Sequence, residues 1–423
     1  MTDRLNIGIA GPFSDVNFGD YGMVVNNILD IGIEHSYTLL SYNEKFLDRI
    51  IDSYFPEYDV TQRVIDPAWF NLGVSVQQRA LTPTEILFDS KARRILRDLI
   101  SPLDIVLING GGYFNELWAL PHRQSRLLSI MAVALVAEQL GKKVIFTANG
   151  YGPFIESSPF YANFFNSLTS AVFYCRDDLY SPSALRALGV ASDAIRQAPD
   201  DLHLLSPKIG SSHRLSFQTP TSPYIILETY LPPDFISENR EHFIQFVREM
   251  RNRHGVSTVF VPLHLDAGGV RQAQLLAEEI PEMSWIDIRE HGYLPIEDAR
   301  DLFANAALTL CSRYHALVFS VALATPAVSI IRDVAGDNRY YYNKNAGFLR
   351  KALRGVHYDE CDYLENDFLK AMGRVADDFP EIVARQKRQL KQGIERNSKW
   401  LLSSRKALLD TIRGARGEVN FDV

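Results

Sequence analysis

The feature that most constrains the fold of this chain is an alternation of short apolar runs with longer amphipathic stretches. Runs such as Leu5–Ala10 and Ile105–Asn109 have the length and β-branching of buried strands, whereas Arg126–Leu140 has the period of a helix. Strands that alternate with helices form parallel sheets, because the chain must cross back over the sheet between neighbouring strands. The alternation therefore predicts a doubly wound α/β domain, in which ligands bind beyond the carboxyl ends of the strands.

The alternation stops and then restarts, which indicates two such domains. Residues 206–223 are rich in Ser, Thr, Pro and Gly and show no apolar period, so we interpret them as a linker. We predict Rossmann-like domains over residues 1–205 and 224–361, facing a cleft, followed by a helical tail over residues 362–423. Residues 44–83 fit neither rhythm, and we interpret them as an insertion near the edge of the first domain.

Charge and cysteine content exclude several classes of protein. The 423 residues include 44 Lys and Arg against 51 Asp and Glu, a formal net charge of −7, which argues against a nucleic-acid-binding surface. The three cysteines lie far apart, so we expect no disulfide framework and favour a reducing compartment. The first apolar run is too short for a signal peptide, and the most apolar window, Ala316–Ile331, is shorter than a membrane span. We therefore expect a cytoplasmic protein.

Glycine-bearing loops follow three of the predicted strands. They are Asn17-Phe18-Gly19-Asp20, Gly110-Gly111-Gly112 and Asn149-Gly150-Tyr151-Gly152-Pro153. Glycine suits places where a ligand or another backbone approaches closely, so these loops are candidates for ligand contact. The alternative is a set of tight turns, with Asp20 capping the helix that follows it. The GxGxxG spacing of a dinucleotide site is absent, so a nicotinamide cofactor is not supported.

Two arginines and a histidine stand after predicted strands in positions that suit an anion. Arg176 ends the strand Val172–Cys175, and Arg313 and His315 lie between a strand and the apolar helix predicted at Ala316–Ala324. If the segment stays extended, Arg313 and His315 point to one side, and the helix start adds backbone N–H groups there. A guanidinium fork matches a carboxylate or a phosphate. For Arg176 the alternative is an ordinary ion pair or a solvated strand end.

The remaining candidates for chemistry carry less information. His264 follows another predicted strand and could transfer a proton, with a hydrogen-bonded loop histidine as the equal alternative. Asp200, Asp201 and His203 match no established metal-ligand spacing, so no metal is predicted. A G-x-S-x-G nucleophile elbow is not found in the sequence.

Taken in order, these segments resemble the polysaccharide pyruvyl transferase family. The resemblance covers about residues 5–350, without residues 44–83 and the tail, and Lys344 stands where the family tends to carry a lysine after its last strand. Its main stretches are Asn17-Phe18-Gly19-Asp20, Ile108-Asn109-Gly110-Gly111-Gly112, Gly150-Tyr151-Gly152-Pro153, Arg176-Asp177 and Ser312-Arg313-Tyr314-His315.

The resemblance implies a GT-B-like fold and a pyruvyltransferase that uses phosphoenolpyruvate as donor and needs no further cofactor or metal. Pyruvate would pass as a ketal to two hydroxyls of a sugar in a polysaccharide or its precursor, with release of phosphate. Arg176 and Arg313 would bind the anionic donor, and His315 would act as general acid or stabilise the departing phosphate. The implied substrate-binding residues are Asn17, Gly19, Asp20, Gly110, Gly111, Gly112, Gly150, His264 and Lys344, with Asp20 and His264 handling the acceptor hydroxyls.

Two other functions fit the same sequence. A GT-B glycosyltransferase would share the fold and the anion site, but it would need contacts to a nucleotide base and ribose that the sequence does not identify. A non-catalytic carbohydrate-binding protein would have no reason to keep Arg176, Arg313 and His315 together. The expected partners are phosphoenolpyruvate and a carbohydrate acceptor, with no nucleic acid. A lipid-linked acceptor would bring the protein into transient contact with the inner face of a membrane.

Overall fold

The computed structural model describes residues 4–13, 16–210, 214–215, 220, 223–266, 268–334 and 336–416. The described chain forms two compact units, which are treated separately below. The first unit takes its residues from Met1–Asp15, Asp20–Lys208 and Trp400–Val423, and the second from Val16–Gly19 and Ile209–Lys399. Nine of the 18 residues in the linker expected over residues 206–223 lie outside the described residues.

The first unit is built on a sheet whose strands pair in parallel. Within the described ranges it has eight strands, in the order β3-β2-β1-β4-β6-β7-β8, with β5 paired to β6. The central strand β4 has the sequence Ile-Val-Leu-Ile and is buried throughout, as a parallel strand covered on both faces requires. The strands are β1 (Asn6–Ala10), β2 (Ser36–Ser41), β3 (Asp59–Val64), β4 (Ile105–Ile108), β5 (Gly111–Phe114), β6 (Lys143–Tyr151), β7 (Val172–Cys175) and β8 (Ile195–Gln197).

Helices connect the strands of the first unit. Helix α5 is buried almost all round because it is composed largely of Leu, Ile, Val and Ala, and it packs within the apolar core of this unit. A short 3-10 helix, Pro67–Phe70, also joins that core. The helices are α1 (Phe18–Ile31), α2 (Glu44–Tyr54), α3 (Pro83–Ile86), α4 (Ser90–Ile100), α5 (Gln124–Gln139), α6 (Ser158–Asn166) and α7 (Tyr180–Ala187).

The second unit repeats the architecture on a smaller scale. Its described part holds six parallel strands in the order β11-β10-β9-β12-β13-β14. The chain runs outward from β9 in one direction and from β12 in the other, so the order reverses between these two strands. The strands are β9 (Tyr224–Leu227), β10 (Ser257–Phe260), β11 (Ser284–Trp285), β12 (Leu308–Cys311), β13 (Ala327–Ile330) and β14 (Leu364–Glu365).

The helices of the second unit pack around a separate apolar core. Helix α9 ends where Gly255 adopts a left-handed conformation (φ 66°), which satisfies the last carbonyls at little steric cost. The helices are α8 (Pro233–Glu238), α9 (Arg240–His254), α10 (Val270–Glu279), α11 (Ile296–Asn305), α12 (Tyr314–Ala322), α13 (Arg339–Ala352), α14 (Glu360–Tyr363) and α15 (Phe368–Arg413).

The interpretation of residues 44–83 as an insertion is wrong. Helix α2 and strand β3 continue the β–α–β rhythm, and β3 pairs in parallel with β2 along its whole length. The prediction failed because β3 is the last strand of the sheet path, where its residues are half-buried or exposed and its sequence, Asp-Val-Thr-Gln-Arg-Val, is largely polar.

The helical tail predicted over residues 362–423 is confirmed in the described residues, where helix α15 spans Phe368–Arg413. Strand β14 adds an edge to the second sheet, although the sequence showed no strand there. Helix α15 follows; it has non-helical angles at Asp378 (φ −110°, ψ 20°), two residues before Pro380. Its residues from Trp400 onward belong to the first unit. No helix in the described ranges combines the length and apolar composition needed to cross a bilayer.

Candidate functional site

The second unit carries a buried ion pair where its strand order reverses. Glu228 directly follows β9, and its side chain is fully buried. One carboxyl oxygen, Oε2, accepts the backbone N–H groups of Ser312 (3.0 Å) and Arg313 (2.9 Å), and Oε1 lies 3.2 Å from Nε of Arg313. Parallel α/β sheets bind ligands at this kind of switch point, beyond the carboxyl ends of the strands. Glu228 therefore fixes Arg313 at the position where a ligand is expected.

Burial and pairing have opposite effects on the pKa of Glu228. Desolvation raises the pKa of its carboxyl, and the Arg313 guanidinium with the two backbone N–H groups opposes that rise. The Arg313 side chain is also held by the carbonyl of Gly268, which accepts a hydrogen bond from Nη2 at 3.3 Å. A third contact is the ring of Tyr230, whose centroid lies 5.0 Å from Cζ of Arg313. The guanidinium is thus oriented by groups from two different loops, the one after β9 and the one after β10.

His315 lies in the first turn of α12 and packs against the segment Val16–Gly19, which belongs to the same unit. A Cβ atom at Gly19 would fall 1.6 Å from Nδ1 of His315, so only glycine leaves room for the imidazole. The segment is anchored beside it, because the N–H of Phe18 donates to the carbonyl of Leu263 at 3.0 Å. The glycine predicted to contact a ligand is therefore explained first by its contact with His315.

The sequence argument placed the side chains of Arg313 and His315 on the same side by assuming that the segment stays extended, and this assumption is wrong. Helix α12 begins at Tyr314 and not at Ala316, so His315 has helical geometry and only Arg313 is extended. The alternation of a strand does not apply across that boundary. The backbone N–H groups of Ser312 and Arg313, which precede the helix, donate to Glu228.

The ring of His264 accepts a hydrogen bond in this structure. It forms a bridge with Asn17, and its Nδ1 accepts the backbone N–H of Asp266 at 2.9 Å. Burial, followed by the Arg313 guanidinium, lowers its pKa to about 4. The ring is therefore neutral at pH 7 and carries its hydrogen on Nε2, since Nδ1 is occupied as an acceptor. This geometry favours donation to a ligand oxygen over the proton transfer considered from the sequence.

Tyrosines and cations cluster beside Arg313 in the same unit. Cζ of Arg332 lies 4.0 Å from the ring centroid of Tyr230 and 5.8 Å from that of Tyr341. The ammonium nitrogen of Lys344 lies 4.3 Å from the centroid of Tyr341 and 4.6 Å from that of Tyr340. Lys344, a candidate from the family resemblance, thus lies within a cluster that the sequence did not reveal.

The first unit places Arg176 in a buried ion pair. The residue follows β7, and its Nη1 lies 3.4 Å from Oδ2 of Asp200, with both side chains almost completely buried. A Cβ at Gly150 would lie 2.9 Å from Nε and Nη2 of Arg176, so this glycine makes room for the guanidinium. The neighbouring Asp177 instead accepts the N–H groups of Leu179 and Ser181 at the start of α7, at 3.0 Å each.

The glycines after β4 contact the protein's own side chains. A Cβ at Gly110 would lie 2.3 Å from Oδ2 of Asp201, and one at Gly111 would lie 2.7 Å from the ring of Tyr113. The carbonyl oxygen of Gly112 accepts a hydrogen bond from the side-chain amide of Asn115 at 2.6 Å. The close approach that glycine permits is therefore to groups of this unit.

Asp201 belongs to a buried polar network in the first unit. Its carboxyl accepts from Asn27 (3.0 Å), Thr147 (2.8 Å) and Nη1 of Arg405 (2.8 Å). Burial raises its pKa, and the Arg405 guanidinium opposes the rise most strongly. With Asp200 paired to Arg176, both carboxyls are engaged by arginines. The described residues contain no group of three or more side chains suited to hold a metal ion.

Asp20 lies in the first turn of α1, whose first residue is Phe18. The helix starts three residues before the expected position near Tyr21, so Asp20 is not its cap. A carboxylate in the first turn still complements the helix dipole. Its negative charge also contributes to raising the pKa of the buried Tyr113, after burial itself.

Glu228 and Arg332 are the two charged residues of the second-unit cluster that sequence reasoning missed. Each follows closely on an apolar strand, Tyr224–Leu227 for Glu228 and Ala327–Ile330 for Arg332. That placement is the signal that could have found them, because the carboxyl ends of parallel strands are the ligand-binding edge.

Comparison with known proteins identifies the family. The family model described as polysaccharide pyruvyl transferase matches residues 42–334. This chain belongs to that family. The match begins before β3, so residues 44–83 are part of the family's region, contrary to the resemblance drawn from motifs. A search of curated proteins found no match.

Solved structures support the GT-B assignment of this family member. A UDP-N-acetylglucosamine 2-epimerase matches with a TM-score of 0.58 and 14% identity, over 99% of this chain and 98% of that chain. Anabaena Alr3699/HepE, in complex with UDP and glucose, matches with a TM-score of 0.56 and 11% identity, over 97% of this chain and 99% of that chain. The spinosyn rhamnosyltransferase SpnG matches with a TM-score of 0.51 and 12% identity, over 96% of this chain and 98% of that chain. At these identities the likeness shows the fold alone, which is the predicted two-domain α/β class.

Proposed function

We propose that this protein is a ketal pyruvyl transferase that moves pyruvate from phosphoenolpyruvate to two hydroxyls of a sugar. The observation that carries the proposal is the arrangement at the β9–β12 switch point. There, buried Glu228 fixes Arg313, and His315 lies in the first turn of the helix that follows. Membership of the family supports transferase chemistry of this type. Phosphoenolpyruvate carries a carboxylate and a phosphate, and a fixed guanidinium matches either group.

The reaction balances with an acid, a base and no oxidant. Protonation of the donor's methylene carbon leaves an oxocarbenium-like centre at C2, which the first sugar hydroxyl attacks. Phosphate then leaves as its C–O bond breaks, and the second hydroxyl attacks the same carbon to close the ketal. Of the two hydroxyl protons, one makes up for the proton delivered to carbon and the other departs with phosphate. An acid is required in the first and leaving steps, and a base in the attacking steps.

The residues of the second unit divide these tasks by their chemistry. Arg313 binds an anionic group of the donor, and His315 is the general acid or the group that stabilises the departing phosphate. Neutral His264 donates from Nε2 to a ligand oxygen. Arg176 and Asp20 of the first unit stay predicted contacts of the donor and of the acceptor hydroxyls, respectively.

The test is incubation with phosphoenolpyruvate and a panel of free and lipid-linked glycans. Phosphate release together with a pyruvate-sized mass gain on the glycan is the expected result. His315→Ala should lower turnover by about 10²–10⁴-fold, the usual contribution of an acid–base group, while leaving the unfolding midpoint unchanged. His242→Ala, an exposed histidine in α9 of the same unit, is the matched control. Wild-type turnover in His315→Ala would remove this catalytic assignment.

A ligand panel separates the proposal from its rivals. Phosphoenolpyruvate should raise the thermal unfolding midpoint because it binds the native state, and UDP-glucose should not. Protection by UDP-glucose alone, with sugar transfer to a glycan, would favour a glycosyltransferase. Glycan binding without turnover of either donor would favour a carbohydrate-binding role.

A further inference from the structure

A second group of cations lies beside Arg313 and has no role in the reaction described above. Arg332 follows β13, the strand next to β12, so it stands at the same ligand-binding edge. Arg332 and Arg313 both lie over the ring of Tyr230. The distance from Cζ to the ring centroid is 4.0 Å for Arg332 and 5.0 Å for Arg313. Arg332 and Lys344 both lie over the ring of Tyr341, with Cζ of Arg332 at 5.8 Å and Nζ of Lys344 at 4.3 Å from its centroid. Two tyrosine rings thus gather three cations into one cluster.

Arg332 differs from Arg313 in its charge partners. Arg313 has Glu228 as its partner, whereas Arg332 lies over the rings of Tyr230 and Tyr341 and, in the part of the chain that the structure describes, pairs with no carboxylate. Arg332 is half-buried, so water screens its repulsion from the neighbouring cations only in part. Cation–π contacts offset some of that cost. An anionic ligand would offset the rest.

The backbone fixes this cluster to the switch point. The N–H of Tyr230 donates to the hydroxyl of Ser312 at 3.1 Å, which joins the loop after β9 to the loop after β12. Tyr230 and Tyr341 pack against each other, with ring centroids 6.3 Å apart. The two rings that carry Arg332 are therefore held in place before any ligand binds, and such preorganisation lowers the entropic cost of binding.

We propose that Arg332, with Lys344 and the rings of Tyr230 and Tyr341, forms a phosphate subsite next to the Arg313 site. A phosphate suits this cluster better than a carboxylate, because it carries up to two charges and three acceptor oxygens for several cations. The inference rests on the proposed function, which supplies two sources of such a group. One is the phosphate of phosphoenolpyruvate, and the other is a phosphate that links the acceptor sugar to its carrier.

The test measures binding and not turnover. Isothermal titration of Arg332→Ala with phosphoenolpyruvate and with glucose 1-phosphate should show a loss of affinity of at least about tenfold for one of them, as expected for a lost charged hydrogen bond. Loss for phosphoenolpyruvate alone assigns the subsite to the donor, and loss for glucose 1-phosphate alone assigns it to the acceptor. Arg332→Lys, which keeps the charge, should recover part of the affinity.

Arg289→Ala is the matched control. Arg289 also lies over an aromatic ring of the second unit, Trp285 at 5.4 Å, but it is paired with Asp287, and its loss should leave both affinities unchanged. Affinities in Arg332→Ala that match those of Arg289→Ala for both ligands would overturn the subsite. Absence of ketal formation by the wild type, with the Arg332 effect on binding intact, would overturn the proposed function alone.

Discussion

His264 gives this protein a specific sensitivity to acid. Burial and the Arg313 guanidinium lower its pKa from 6.5 to about 4, so the folded chain keeps the ring neutral where the unfolded chain already binds a proton. The stability that depends on the neutral ring is therefore present above about pH 6.5 and is lost as the pH falls toward 4. His264→Asn should abolish this dependence, because the Asn oxygen can accept the N–H of Asp266 as Nδ1 does and cannot titrate.

The size of the effect follows from the two pKa values. A shift of this size corresponds to about 3 kcal/mol of unfolding free energy once the pH is below both values, and to about 2 kcal/mol between pH 7 and pH 5. Hydrogen exchange of the β9 and β10 amides in increasing urea reports on the second unit alone. The unfolding free energy of His264→Asn minus that of wild type should be about 2 kcal/mol larger at pH 5 than at pH 7.

His242→Asn is the control, since this histidine is exposed on the surface of α9. It should leave the pH dependence of unfolding unchanged. Equal slopes for wild type and His264→Asn between pH 7 and pH 5 would refute the argument that His264 is held neutral in the folded state.

Two further substitutions test contacts within each unit. Gly19→Ala should lower turnover at least about tenfold with the fold retained, because the new Cβ would displace the imidazole of His315; the assay is phosphate release. Arg405→Met should lower the unfolding free energy by about 3–5 kcal/mol, because it leaves the carboxyl of Asp201 buried without its cation; the assay is chemical unfolding.

Controls for both exist in the chain. Gly373→Ala adds a methyl group in α15 with nothing within 4 Å, so turnover should be unchanged. Adding Asp201→Asn to Arg405→Met removes the unpaired charge and should restore part of the stability. Normal turnover in Gly19→Ala, or no rescue by Asp201→Asn, would contradict these two explanations.

The apolar pattern predicted several interior elements of both units, although it missed strand β2. The strand Val172–Cys175 has the bounds that the sequence predicted, and the helix predicted over Arg126–Leu140 corresponds to α5, Gln124–Gln139. These elements bury a continuous apolar run or one apolar face, so composition and period are enough to locate them. Edge strands were missed because β3 and β14 bury too little surface to require an apolar sequence.

The candidate residues were only partly predictable, for a different reason. Strand ends identified Arg313, His315 and Arg176, but their partners Glu228, Gly19 and Asp200 come from distant positions in the sequence. A pattern within one segment does not show which charge lies opposite another. Helix α12 begins at Tyr314, two residues before the predicted start. This shift is enough to put Arg313 in extended backbone and His315 in the helix.

The order of apolar runs, charged strand ends and glycine loops was sufficient for the α/β class and the family, because these depend on which residue types follow each strand. Tertiary structure alone decided what each glycine and arginine contacts. Gly110 and Gly150 leave room for Asp201 and Arg176, and the ring of Tyr230 brings Arg332 next to Arg313. The physical reason is that burial, pKa and charge balance depend on neighbours in space, which the fold assembles from separate loops.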